Sequence, residues 1–158
     1  MKLTPVRLEQ LSALTHEVHL SEAPQFGASK FKVISYQGEY RGGGRGREDA
    51  QYILATAAAA HEAWFTESIA IDFSRLSYAW GDEMEWVLKI GQRLPIDCRF
   101  PLAIILGRDS APALRTLLAD EFDEYCVESL DEAIRLLEVK RDAYKKCLAA
   151  WKPKSNAT

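Results

Sequence analysis

The sequence predicts an α/β fold: a mostly parallel central sheet with covering helices, an N-terminal extension and a long C-terminal helix. Three observations carry this. Ile69-Ala-Ile-Asp-Phe73 is an unbroken β-type run leading into a turn at Gly81. Pro101-Leu-Ala-Ile-Ile-Leu106 is a continuous apolar run, the mark of a strand covered on both faces. Beyond residue 30, strand-like and helix-like segments alternate without a linker or an internal repeat, which is the pattern of a parallel sheet joined through helices.

Each element follows in order. In the first 25 residues Val6, Leu8, Leu11, Leu14 and Val18 approximate a helical stripe, while Val18–Leu20 equally fits a short strand. Ser21–Pro24 and Gly27 then punctuate the chain. Phe31–Tyr36 is rich in aromatic and β-branched residues and reads as a strand, continuing or folding back through Gly38-Glu39-Tyr40. A helix is expected from about Glu48 to Phe65, with Tyr52, Ile53, Ala57, Ala60 and Trp64 on one face. Ala57–Ala60 offers a flat surface for close approach to a sheet. After the strand at 69–73 a helix is expected over Asp82–Leu94, with Met84, Val87, Leu88 and Leu94 inward. Gly107 and Asp109-Ser110 end the next strand and cap a helix over Ala111–Ala119, whose Pro112 is tolerated in the first turn. A short strand near Tyr125–Val127 precedes Ser129-Leu-Asp-Glu132, a capping box that starts a helix reaching about Trp151. The domain organisation is thus an extension over 1–25, one α/β domain over 26–151 and a polar tail over 152–158.

Composition bounds the function. With 47% hydrophobic and 27% charged residues the chain has a globular composition. A net charge of −3 gives no electrostatic footprint for nucleic acid. No apolar run approaches the roughly 20 residues of a membrane span, and the charges in the first 20 residues do not fit a signal peptide. Cys98, Cys126 and Cys147 are odd in number and widely spaced, which fits reduced thiols in a cytoplasm. His16, His19 and His61 make no metal-ligand pattern with a cysteine or acidic cluster, and no nucleophile elbow is present. Asp72 at a strand end resembles many α/β acids and reads as structural. No cofactor, metal or catalytic residue is expected.

Two segments stand out as candidate sites. Arg41-Gly-Gly-Gly-Arg45-Gly-Arg47 places three arginines among glycines before a helix N-terminus. Such a loop can bring backbone N–H groups and guanidinium forks to an anion. It carries neither GxxxxGK[ST] nor GxGxxG, and Glu48 and Asp49 stand ready to satisfy the same charges. A solvated loop and an anion or partner contact at Arg41, Arg45 and Arg47 are the two readings. The second segment is the turn Tyr78-Ala-Trp-Gly-Asp-Glu83. Trp80 is costly to leave on a loop unless it packs in the core or anchors a partner. Asp82, Glu83 and Glu85 suit a helix N-terminus. The stripe Leu130, Ile134, Leu137, Arg141, Tyr144, Leu148 and Trp151 on the last helix should cover the sheet in its first half. Its second half docks on the same chain or on a second copy, as a homodimer.

Three stretches together resemble the STAS domain, the fold of anti-sigma-factor antagonists. Val33-Ile-Ser-Tyr-Gln-Gly-Glu-Tyr40 is similar to the early strand and its Gly-Glu turn. Ile69–Gly81 is similar to the strand running to the switch glycine. Leu102–Leu137, with Ser129-Leu-Asp-Glu-Ala133, is similar to the late strand, short helix, short strand and terminal helix. The resemblance covers roughly residues 30–139 and implies a non-enzymatic module that binds a kinase-like or other signalling protein. Its working surface would be the turn and helix at 78–94, including Tyr78, Trp80, Gly81, Asp82, Glu83 and Glu85. In that family a Ser or Thr before the glycine accepts phosphate. Here Ala79 and Trp80 hold those places, so the resemblance implies a non-phosphorylatable turn. The Gly-rich insertion and the extended last helix are further departures. The alternative function is a small-ligand or nucleotide-binding α/β protein using Arg41–Arg47.

Overall fold

Strands β1 (Thr15–Leu20), β2 (Lys32–Glu39), β3 (Ile69–Ser77), β4 (Leu102–Ile105) and β5 (Cys126–Val127) form one sheet in sequential order. This computed structural model describes residues 2–22, 31–92 and 98–151. β1 runs antiparallel to β2, and every later pair is parallel. The two apolar runs are adjacent inner strands, in register from Ile69↔Leu102 to Asp72↔Ile105. The register shifts between Ser35↔Asp72 and Gln37↔Arg75, so Tyr36 faces an extra residue on β3. That bulge resets the alternation, and both Phe73 and Leu76 are buried.

The sheet has two covered faces. Ile34, Tyr36, Ile71, Phe73 and Ile104 pack under α1 (Gly46–Ala63), α2 (Ala111–Leu118) and α3 (Phe122–Tyr125). On α1, Ala57 and Ala60 are buried against this face, as their small size allows. The opposite face is smaller: Val33, Ala70, Ala103 and Ile105 meet Ala133 and Leu137 of α4 (Leu130–Ala150). Three alanines at that contact let the helix approach the strands closely. Ser129 caps α4 by accepting from the Glu132 N–H at 3.3 Å, and the Glu132 carboxylate accepts from the Glu128 N–H at 2.9 Å.

Several expectations need correction. The segment after the turn is a 3₁₀ helix over Asp82–Lys89, not an α-helix to residue 94. Met84 and Val87 are its buried residues, followed by the buried Ile90 just past its end, and their three-residue spacing matches three residues per turn. Leu94 lies outside the described residues. Of the N-terminal readings the strand prevails: among the described residues before β1 only Leu8–Gln10 makes a helical turn, a 3₁₀ one with no buried residue. The stretch before β5 is helical up to Tyr125, leaving a two-residue strand.

The cysteines also differ from expectation. Cys98 and Cys147 form a disulfide, with Cα atoms 5.7 Å apart and a separation of 49 positions in sequence; Cys126 is free. Spacing hides this pair because α4 runs back over the sheet and brings its last turns to the loop before β4. Reduced thiols therefore no longer support a cytoplasmic location.

Lys32, at the start of β2, is fully buried. Its ammonium donates to the Ala60 carbonyl at 2.6 Å and to the Trp64 carbonyl, closing the C-terminal end of α1. A cation at that end meets both the unpaired carbonyls and the negative pole of the helix dipole. Lys32→Ala should lower stability by about 2–4 kcal/mol, through lost packing and the loss of the donor to the Trp64 carbonyl, the Ala60 carbonyl keeping the Trp64 N–H. A urea midpoint equal to wild type would show the ammonium to be expendable.

Candidate functional site

The turn after β3 is built on two crossed tyrosines. Tyr40 and Tyr78 are buried and meet edge to face, with ring centroids 5.1 Å apart. The Tyr40 N–H donates to the Ser77 carbonyl, and the Tyr78 hydroxyl donates to the Gly81 carbonyl at 2.8 Å. Burial, then the nearby carboxylates of Asp82 and Glu83, push the Tyr78 hydroxyl up to about 12. Tyr78 is thus a strut of the turn, with its hydroxyl committed inward. Gly81 has φ 145°, and a Cβ there would stand 3.0 Å from the Tyr40 ring, so the position favours glycine on both counts.

This turn leaves Trp80 outside the core, 62% exposed. Its indole lies against the glycine-rich loop. A Cβ at Gly42 would fall 2.6 Å from Trp80 Nε1, and one at Gly43 would fall 2.6 Å from Cη2. The glycines therefore form a bare backbone shelf for the ring. Arg47 and Glu83 add a second tie between loop and turn, an ion pair at 3.6 Å. The two segments that stand out separately in the sequence are one surface. Glu83 is half-buried beneath it, and Asp82 and Glu85 are exposed at the start of the 3₁₀ helix. A cavity of about 370 Å³ opens between Trp80 and Asp82 on one side and Ala113, Thr116 and Leu117 of α2 on the other. The α2 residues carry no sequence signal beyond an amphipathic helix, and the glycine shelf is recognisable only once Trp80 is placed on it.

The three arginines of the loop do not converge. Arg41 turns inward: its backbone N–H and its Nε and Nη2 atoms donate to Asp49, and Nη2 also reaches the Leu11 carbonyl at 2.6 Å. Its Nη1 donates to Glu48 at 3.0 Å. Arg47 is spent on Glu83, and Arg45 is exposed on the 3₁₀ turn Gly43–Arg45. Asp49 is buried and accepts from Ser12 Oγ at 2.5 Å as well. Burial pushes its carboxyl up, but the bonds from Arg41 and Ser12 outweigh this and hold its pKa below the usual value. Elsewhere, Asp72 accepts from Ser35 Oγ at 2.9 Å and from the Ser74 N–H at 2.8 Å, which satisfies it within the strand end. Among the described residues no group of three or more His, Cys, Asp or Glu could hold a metal ion, and no helix is long and apolar enough to cross a membrane.

The architecture is a mixed α/β fold, and the comparison with solved structures agrees. A crystal structure of an anti-sigma factor antagonist from Mycobacterium paratuberculosis is similar, with a TM-score of 0.55 over 80% of this chain and 95% of that one. The two sequences are 15% identical, so the similarity is one of fold, the STAS type of five-stranded sheet with a long C-terminal helix. No protein-family model and no curated protein matches the sequence.

Gly43→Ala should displace the indole, because the position has φ 64° and its new methyl would collide with the ring. The expected result is a shift in tryptophan emission that disappears in a Trp80→Phe background. The same shift in both backgrounds would place its origin at another tryptophan.

The Arg41–Asp49 contact makes a second prediction. A depressed carboxyl pKa contributes stability at neutral pH that is lost as pH falls below the ordinary aspartate value, about 4. Asp49→Asn should be less stable than wild type at pH 7, with a gap that narrows below about pH 4. Parallel pH profiles of the two unfolding midpoints would contradict this.

Proposed function

We propose that the chain is a non-enzymatic interaction module of STAS type. It binds a signalling protein, of kinase-like or other regulatory kind, through the turn and 3₁₀ helix from Tyr78 to Lys89. The observation that carries this reading is the exposed Trp80 indole, supported from below by Gly42 and Gly43. A large aromatic ring held in place, with one face open, has little left to lose in ordering when a partner covers it. The neighbouring cavity against α2 accepts a partner side chain, and Asp82 and Glu85 favour a partner with basic groups at the rim. Ala79 and Trp80 offer no hydroxyl for phosphate and the Tyr78 hydroxyl is buried, so binding at this turn is not gated by its phosphorylation.

Arg41 does not favour the alternative of an anion site, because its guanidinium is committed to Asp49, Glu48 and Leu11.

A pull-down from native lysate with wild-type and Trp80→Ala chains identifies the partner, and titration then measures the difference. The substitution should weaken binding by about 2 kcal/mol or more, roughly 30-fold. Because the ring is mostly exposed, the same change should alter fold stability by about 1 kcal/mol or less in a denaturant melt. Asp82→Lys should also weaken a basic partner while leaving the fold nearly unchanged. Full retention of binding by both variants would remove this turn from the functional surface.

A further inference from the structure

We infer that Cys98–Cys147 is a reversible thiol–disulfide site, and that the bond controls whether the second half of α4 stays docked on the body. The helix divides at Lys140. Before it, Ala133 and Leu137 are buried, and Lys140 itself donates to the Leu102 carbonyl at 3.0 Å while lying 3.6 Å over the Tyr125 ring. After it, no residue of Arg141–Ala150 is buried. The non-covalent contacts of that half are sparse. Tyr144 meets Phe100 edge to face at 5.9 Å, and Arg141 and Lys145 pair with Glu67 at 3.4 and 3.0 Å. The Lys145–Glu67 pair is exposed and holds the helix weakly, while the Arg141 side chain is largely covered at 14% exposure.

The packing beneath is also open. One cavity of about 240 Å³ lies between Arg99, Glu124, Lys140 and Cys147. Another, of about 260 Å³ and mostly apolar, lies between His61, Phe65, Arg141 and Leu148. Phe100 and Tyr144 line both. The disulfide crosses at this seam, two residues from Phe100 and three from Tyr144. It is thus the covalent tie of a half-helix that its own side chains barely anchor.

The chemistry is a two-electron exchange with a dithiol reductant. A thiolate of the reductant attacks the Cys147 sulfur, which is on the more accessible partner, and the S–S bond breaks. Cys98 leaves as a thiolate and takes a proton. The second thiol of the reductant then attacks the mixed disulfide, releasing the Cys147 thiol and leaving the reductant oxidised. Cys126 is a poor competitor, since it sits on β5 and burial pushes its thiol up to about 12. Once the bond opens, the last three turns of α4 can swing away, carrying Tyr144 and Leu148 with them and uncovering Phe100 beside the already exposed Phe65 on the body. Where disulfides form in reducing compartments they are usually transient and sensing, and this placement fits that use.

The test uses the full chain. Alkylation in denaturant should label one cysteine in the air-oxidised protein and three after dithiothreitol. Three labels without reductant would overturn the inference at once. Hydrogen exchange then reads the helix: amides of 141–150 should exchange at least tenfold faster in the reduced chain, with those of β3 unchanged. Cys147→Ser and Cys98→Ser should each reproduce the fast exchange without reductant, and Cys126→Ser should not. Unchanged exchange at 141–150 on reduction would overturn the proposal. So would acceleration of β3 together with the helix, which would mark the bond as a staple of the whole fold. If either serine variant fails to fold, the reduced wild-type chain alone decides between these outcomes.

Discussion

Asp49 is the constraint on which the arrangement of the site depends. A carboxylate on the first turn of α1, it is buried and accepts from Ser12 and from three nitrogens of Arg41. A buried charge must be paired and fully hydrogen-bonded to be tolerated, so its two partner residues are held to a narrow geometry. Ser12 brings in the segment before β1. Arg41 brings in the start of the glycine loop and, through the Leu11 carbonyl, ties it again to that segment. The position of a loop with three consecutive glycines, which would otherwise cost much conformational entropy to fix, is set at its first residue by this one contact.

From there the surface follows by succession. With Arg41 turned inward, Gly42 and Gly43 pass directly beneath the indole of Trp80. The other side of the turn is fixed by β3, whose bulge opposite Tyr36 sets which residues point inward at its end. Leu76 and Tyr78 are consequently buried, and Trp80 is left outside. The crossed tyrosines join the ends of β2 and β3, so loop and turn cannot move far apart. The exposure of Trp80 is therefore a product of packing on three sides, not of a slack loop.

What the sequence makes legible is what local chemistry decides. The two fully covered strands show as apolar runs, the Ser129 cap shows as a capping box, and Gly81 shows as the break before the next helical segment. What it hides depends on contacts between distant residues. The 3₁₀ geometry of Asp82–Lys89 emerges because the core accepts Met84, Val87 and Ile90 at three-residue spacing, while the same residues also satisfy a loose α-helical pattern. The Cys98–Cys147 bond needs α4 to double back over β4. That Glu48 and Asp49 can satisfy the loop's arginines is readable from the sequence, but that Arg41 is the one they hold, with Ser12 and the Leu11 carbonyl, is not. At the candidate site both segments are visible in the sequence, but their contact is not, because nothing in either segment names the other.

That contact joins two features that look unrelated in the sequence. Trp80 stands where a small hydroxyl residue would be expected from the STAS resemblance, and the glycine-rich stretch follows the early strand where the resemblance has no insertion. A tryptophan at that turn needs a neighbour without side chains, since a Cβ on either Gly42 or Gly43 would enter the ring. A run of glycines, in turn, gains from a rigid plate that limits the conformations it must give up on folding. Each feature alone is unfavourable: an indole standing free in water, and a loop with no packing of its own. Together they offset one another and leave one flat apolar face outward, bordered by Asp82 and by the cavity against α2. The tryptophan of the turn and the glycines of the loop are thus one structural feature, a surface whose shape is fixed by the contact between them.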